Sequence, residues 1–305
     1  MKKLLITGVA GFIGRNVAKY FSERGWEVYG VDRHPVQDSL LADLRGYCSC
    51  TLPGKEVSDF IERVQPFAVL HAAGRATPAI SMIQLEDDYH DNASVVFYLL
   101  DQVRRVAQEA RFLLLSSAAV YGQPAQLPIS ESEELNPLSP YGFHKWQAEN
   151  ICREFRDIFG MHSTALRIFS AYGPGLCRQV IYDVTSRALK SGRVELRGTG
   201  EESRDFIHVS DICRAIGLVL DTPKPDLIYN VASGVETSLR SLAELVARCL
   251  NVSAPVVFDG TRDLGMPVRW RADISRLRNI GFNAEVTFAD GLAGVVDWCK
   301  KETIL

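Results

Sequence analysis

Leu4-Leu5-Ile6-Thr7-Gly8-Val9-Ala10-Gly11-Phe12-Ile13-Gly14 is the stretch whose reading decides the fold. Leu4 to Thr7 reads as a short buried strand, and an amphipathic helix follows to about Arg24. Between them Gly8, Gly11 and Gly14 form a GxxGxxG pattern. Gly8 permits the tight turn, Gly11 lets the backbone approach a pyrophosphate, and Gly14 lets the helix pack close to the sheet. Phe12 and Ile13 open that helix, whose N-terminus suits the phosphates. Glycine spacing alone is a weak signal. Here a strand precedes it, a helix follows, and a second strand, Glu27 to Val31, ends in Asp32. An acid there can accept both ribose hydroxyls and repel a 2'-phosphate, which favours NAD over NADP, whereas the guanidinium of Arg33 can accommodate that phosphate.

Alternation of strand and helix continues down the chain. Asp43 and Leu44 are candidates for the adenine side, and Phe67 to Leu70 is the next buried strand. It runs into His71-Ala72-Ala73-Gly74, where small Ala72, Ala73 and Gly74 let a cofactor lie against the backbone while His71 reads as a packed structural residue. Asn92 opens a helix to Gln108, and its amide either orders the backbone near a nicotinamide or caps that helix. Strand 112–116, a helix from Tyr141 to Phe159 and strand Ser163 to Ile168 complete a doubly wound parallel sheet with its site at the carboxyl edge. Beyond it, short strands (Val194 to Leu196, Phe206 to Val209, Ile228 to Val231) alternate with helices around 178–190, 210–220 and 238–250. The expected architecture is α/β: a Rossmann domain over residues 1–168, to which the chain returns around 205–232, and a smaller interleaved α/β lobe over 169–305 that binds substrate.

Chemistry is expected between Ser116 and Lys145. Ser139 suits an N-cap and Pro140 the first helical position, so Tyr141 falls in the first turn, and Lys145 four residues on shares its face. A phenol titrates near pH ~10 and is a poor base unless its anion is stabilised. A positive charge about 5 Å away, at an effective dielectric of ~20, is worth roughly 3 kcal/mol. Such a tyrosine can take a proton from an alcohol, and Ser117, ending an apolar strand, can hold the developing oxyanion.

Bulk properties narrow the class. With 34 Lys and Arg against 37 Asp and Glu in 305 residues, the net charge of −3 carries no footprint for nucleic acid. No apolar run is long enough to span a bilayer, and the glycines interrupt the only stretch resembling a signal peptide. Seven cysteines without CxxC spacing read as reduced thiols of a cytoplasmic protein, and no metal site is expected.

Thr7–Gly14 (TGVAGFIG), Asp32, HAAG, SSAAVYG, the Tyr141/Lys145 pair, LRIFSAYGP, SRDFIHVSD, YNVASG and RWRAD occur in one order along the whole chain. Together they resemble the extended short-chain dehydrogenase/reductase family, specifically its nucleotide-sugar epimerases and dehydratases. The resemblance implies NAD as cofactor, a nucleoside-diphosphate sugar as substrate, and catalytic roles for Ser117, Tyr141 and Lys145. It also implies cofactor contacts from Ser116, Tyr141, Lys145 and Phe169, and substrate contacts from Ser117 and Tyr141. Arg204 matches an arginine that grips the diphosphate, with a surface ion pair to Asp205 or Glu202 as the plainer alternative. Arg269 is a second diphosphate partner by position, and Arg262 falls one residue out of register. A homodimer packed through helices 92–108 and 141–158 is the family's common assembly.

Departures from the pattern narrow the reaction. Ala118 and Ala119 stand where related dehydratases and a decarboxylase carry acids, or an epimerising branch carries a Cys, so hydride out and back is what remains. A 4-epimerase needs nothing more. A reductase of nucleotide-linked 4-keto-6-deoxy sugars uses the same residues in one direction, and a catalytically idle NAD-binding regulator is the alternative of another class. Ser170 and Gln179 replace asparagines usual in epimerases, which suggests a different substrate pose. Trp270 falls near a position that sets sugar size, where bulk disfavours N-acetylated sugars unless it is ordinary packing. The polar loop Pro124 to Pro137 is placed to cover the site.

Overall fold

The computed structural model describes residues 1–261 and 267–304, with side chains to Glu302; Arg262 lies outside the described residues. Its strands in chain order are β1 (Lys3–Thr7), β2 (Glu27–Asp32), β3 (Gly46–Ser49), β4 (Ala68–His71), β5 (Arg111–Ser117) and β6 (Ser163–Ile168). Then follow β7 (Ser170–Tyr172), β8 (Glu195–Leu196), β9 (Ser203–His208), β10 (Ile228–Val231), β11 (Glu236–Ser238) and β12 (Val257–Phe258). The first six join β10 in a parallel sheet of order β10-β6-β5-β4-β1-β2-β3, a Rossmann arrangement with one added strand. Strand order reverses between β1 and β4, so a crevice opens where Gly8 follows one strand and Ala72 the other.

The strands are apolar nearly throughout because both faces of the sheet are covered. Leu4, Ile6 and Leu70 face one helical layer, while Leu5, Val69 and Leu114 face the other. All six are fully buried, each contributing roughly 1.5–3 kcal/mol of apolar burial. The helix Pro140–Phe159 has the expected ends: the Ser139 hydroxyl accepts from Gly142 N–H at 3.3 Å, Pro140 opens it, and left-handed Gly160 (φ 68°) closes it.

Two elements differ from expectation. Asn92 does not open a helix; a helical path already runs from Leu85–Tyr89 through a π turn at His90–Ser94 into Val95–Val106. Its amide is therefore interior to a wide turn, fully buried, with neither polar atom partnered. The strand expected at Phe206 to Val209 is β9, which lies between β11 and β7 in a separate three-stranded sheet. The chain returns to the large sheet through β10 and through the helix Val209–Asp221, which packs on Phe12–Ser22. The smaller lobe closes around Val184, Leu242 and Leu292, one from each of the helices Gln179–Ser191, Leu239–Leu250 and Phe288–Ile304. No helix among the described residues is long and apolar enough to cross a membrane.

Candidate active site

Two cavities meet above the carboxyl edge of the sheet, sharing Gly11 and Ala72–Arg75 as a common floor. The one over β2, of about 480 Å³, is lined by Gly8, Asp32 and Arg33; the other, of about 550 Å³, runs under the smaller lobe. Close backbone approach creates their floor. A Cβ on Gly8 would lie 2.5 Å from Ala73 N, and one on Gly14 would lie 2.2 Å from the Gly8 carbonyl oxygen. Asp32 is held in place by Ala10 N–H (3.0 Å) and His34 N–H (3.1 Å), one at each carboxylate oxygen, which leaves lone pairs for ribose hydroxyls. At the junction, a Cβ on Gly74 would lie 2.7 Å from the unpartnered Asn92 Oδ1 and 3.6 Å from Lys145 Nζ. A glycine cradle, an oriented acid and a buried amide with unused hydrogen bonds fit a dinucleotide across both cavities.

Asp43 and Leu44 line neither cavity. They precede β3, and Leu44 packs toward Gly30 of β2; the carboxyl end of β3 instead delivers Cys50, Thr51 and Leu52. The register of β3 was the missing signal, because Gly46–Ser49 is too short to betray itself by periodicity.

The larger cavity gathers Phe12, Ile13, Ser116, Ser117, Tyr141, Lys145, Phe169, Ser170, Gln179, Arg204 and Trp270. Tyr141 sits in the first helical turn with its N–H donating to Ser81 Oγ at 3.1 Å. Burial pushes its phenol up, a hydrogen bond with the Ser117 side chain pulls it down, Asp88 raises it and the Arg178 charge lowers it; the balance is upward. Lys145 follows on the same helix and lines the same cavity. Its ammonium donates to the Leu115 carbonyl at 3.0 Å, and burial lowers it to about 8 against the opposing charges of Asp88, Glu149 and Cys152. Ser116 is turned away, donating to Glu149 at 2.6 Å, and Glu149 is forked to the buried Arg167 at 2.7 and 3.0 Å. His71 is packed against Thr7 Oγ1 at 2.7 Å and lowered to about 3 by burial and then by the Lys145 charge, so it stays neutral.

Arg204 donates to the carbonyls of Ser203 (2.7 Å) and Pro267 (3.0 Å) and lies 5.7 Å over the Trp270 ring. Asp205 accepts instead from Ser233, Gly234 and Ala272, and Glu202 from Thr199 and Gly200. Trp270 both packs and lines: its indole N–H donates to the Gly122 carbonyl and its ring meets Phe169 edge-on. Arg269 is not brought to this cavity; it pairs with Glu236 at 2.7 Å beside a separate polar cleft. Sequence reasoning passed over Arg178 and Thr77, both in the lining, and the buried Asp88–His144 contact (2.6 Å) just behind it.

A family model described as the NAD dependent epimerase/dehydratase family matches residues 4–232. The chain belongs to that family. Its members are NAD-dependent enzymes of nucleotide sugars, and the Rossmann fold with its glycine cradle follows the family plan. The family chain described here is 28% identical over 97% of each sequence to the GDP-6-deoxy-D-mannose reductase of Pseudomonas aeruginosa. It is 26% identical to the UDP-glucose 4-epimerase of Mycolicibacterium smegmatis over 99% of both. Among solved structures, MoeE5 in complex with UDP-glucuronic acid and NAD is similar at a TM-score of 0.87, with 28% identity, 98% of this chain and 99% of that one.

Proposed function

We propose that the protein interconverts nucleoside-diphosphate sugars epimeric at C4, with NAD as the resident cofactor and UDP as the favoured nucleotide. One observation carries the reading: Tyr141, hydrogen-bonded to Ser117, faces a cavity that no Asp, Glu, Cys or His lines among the described residues. Eliminating water or epimerising next to a ketone needs a further acid or base, and none is at hand. NAD supplies a reversible hydride acceptor. Tyr141 takes the C4 hydroxyl proton and returns it after the 4-keto sugar has turned over. Ser117 donates to the same oxygen, Lys145 contributes a fixed positive charge behind the phenol, and Arg204 holds the diphosphate. Gly8, Gly11, Gly14 and Asp32 hold the cofactor, and Asn92 uses its free amide at the nicotinamide end.

NAD-loaded protein offered UDP-, dTDP- and GDP-hexoses should convert at least one into its C4 epimer without consuming cofactor. Sugars left unchanged would overturn the reading. Stoichiometric use of reduced cofactor on a 4-keto sugar would replace it by the reductase alternative, to which the similarity with the Pseudomonas reductase gives support.

The same reading covers assembly and compartment. Phe97 of the helix Val95–Val106 and Ile158 and Phe159 of Pro140–Phe159 are exposed apolar side chains on two helices packed side by side, a surface suited to a second copy. Seven cysteines without a disulfide suit a reducing cytoplasm.

A further inference from the structure

Behind the cavities lies a buried ion pair that the proposed reaction does not use. Glu149 and Arg167 are 3% and 2% exposed, and Glu149 lines neither cavity. Ala148, Cys152 and Phe155 of the same helix pack with Phe112 and Leu114 on that face of the sheet, so the pair is set in an apolar layer. Desolvation of two charges offsets much of their attraction, and apolar side chains of similar volume would hold such a layer as well, so stability alone does not account for the pair. Its remaining contacts lead to the strand end that carries Ser117. Arg167 stands opposite Ser116 in the register of β5 and β6, and its Nη1 donates to the Tyr121 hydroxyl at 2.8 Å and the Glu131 carbonyl at 3.2 Å. Fixed by that anchored guanidinium, Glu149 accepts the Ser116 hydroxyl at 2.6 Å.

Three successive residues of β5 are thereby fastened to three positions of the helix Pro140–Phe159 at four-residue intervals, which share one helical face. Lys145 Nζ donates to the Leu115 carbonyl at 3.0 Å, Ser116 donates to Glu149, and Ser117 hydrogen-bonds the Tyr141 phenol. Ser117 Oγ also accepts from Ala119 N–H at 3.1 Å, which leaves its own hydrogen to donate. The outer two ties belong to the reacting groups; the middle one touches neither substrate nor cofactor. We propose that Glu149 is a positioning residue: acting through Ser116, it fixes the end of β5 against the helix and so sets the Ser117 hydroxyl against the Tyr141 oxygen and the sugar hydroxyl. Neither Glu149 nor Ser116 takes or gives a proton in this role. A misplacement of about 1 Å at reacting atoms is enough to slow a reaction severely, and a buried, forked carboxylate resists such drift better than a lone hydroxyl. The inference rests on Ser117 and Tyr141 acting on a sugar hydroxyl, a step that the epimerase and reductase readings share.

The test compares NAD-loaded wild-type, Ser116→Ala, Glu149→Gln and doubly changed enzyme on whichever UDP-, dTDP- or GDP-hexose the wild type converts fastest. Ser116→Ala keeps the Glu149–Arg167 pair and removes only the tie, so it should fold as the wild type does, whereas Glu149→Gln leaves a buried guanidinium short of a partner and should lower the melting temperature. Ser116→Ala should reduce kcat about tenfold, the worth of one charge-assisted hydrogen bond, with sugar KM and NAD affinity changed by less than about twofold. The double variant should lose no more than the more impaired single one, because the two residues act as a unit. A second readout needs no turnover. The Tyr141 phenol, followed as the tyrosinate absorbance that Tyr141→Phe lacks, should titrate higher in Ser116→Ala, since the Ser117 hydrogen bond that lowers it is misaligned. Asp88 of the helix Leu85–Tyr89, Arg178 ahead of the helix Gln179–Ser191 and Lys145 on the Tyr141 helix all keep their charges in that variant. A melting temperature that falls while kcat holds, losses that multiply in the double variant, or an unmoved phenol overturns the assignment. A wild type that turns over no nucleotide sugar sinks the functional reading instead, and the phenol then decides alone: a shift in Ser116→Ala upholds the positioning role, and none ends it.

Discussion

Tyr141 combines two properties that oppose one another. Burial that excludes water from the reacting oxygen also raises the phenol, so that less of it is ionised and ready to take a proton at neutral pH. The Ser117 hydrogen bond and the Arg178 charge work against the rise from within the chain, and a bound cationic nicotinamide adds to them. Tyr141→Phe should lower kcat by about 10²- to 10⁴-fold, as removing a positioned acid–base group does, while calorimetry finds NAD affinity little changed. Undiminished turnover would remove the assignment. Asp88 raises both Tyr141 and Lys145, and Lys145 loses its charge as pH climbs through about 8. Asp88→Asn should therefore lower both groups and move the pH–rate profile to lower pH; an unmoved profile would show that Asp88 does not tune them. Ser117, Tyr141 and Lys145 were legible in the chain because a strand end and one helical turn bring them together locally. Arg178 was not, since its effect on Tyr141 depends on how the smaller lobe crosses the sheet edge, which no periodicity encodes.

At the level of elements, the turn from β1 into the helix Phe12–Ser22 is decided by contacts that only glycine tolerates. A methyl at position 14 would meet the Gly8 carbonyl and Val9 Cα, all backbone, whereas one at Gly25 (φ +78°) meets nothing within 4 Å. Gly14→Ala should cost about 1–3 kcal/mol and abolish tight NAD binding, because the loop itself must shift. Gly25→Ala should cost about 1 kcal/mol through its backbone conformation alone and leave NAD binding intact. Equal effects of the two on cofactor affinity would contradict the cradle. The glycine pattern announced this turn from sequence, and Ser139 and Pro140 announced the start of the Tyr141 helix. The π turn at His90–Ser94 was invisible, since Asn92 looks like a cap until the preceding turn is seen to be helical. Asp43 and Leu44 fall outside both cavities for a related reason: four residues of β3 carry too little pattern to fix where its carboxyl end falls.

For the molecule as a whole, the order of strands and the interleaving of the smaller lobe matter most. Alternating strands and helices made the doubly wound sheet legible, yet the place of β9 beside β7 and β11 comes from pairings distant in sequence. That placement sets Arg204 against Trp270 in the cavity wall. The apolar side chains on Val95–Val106 and Pro140–Phe159 belong to the same scale. Ile158, 71% exposed, and Phe97, 49% exposed, are costly to leave in water unless a second copy covers them. Light scattering should find a dimer that the double change Phe97→Glu and Ile158→Glu converts to a folded monomer; a monomeric wild type would refute it. In the proposed epimerisation C4 is oxidised and reduced again within one closed site. The most direct measurement follows a deuterium placed at C4 of the nucleotide sugar through epimerisation in ordinary water. The epimer should keep the label in full at C4 with no net change in cofactor. Loss of the label to solvent, or an epimer formed with C4 untouched, would contradict it.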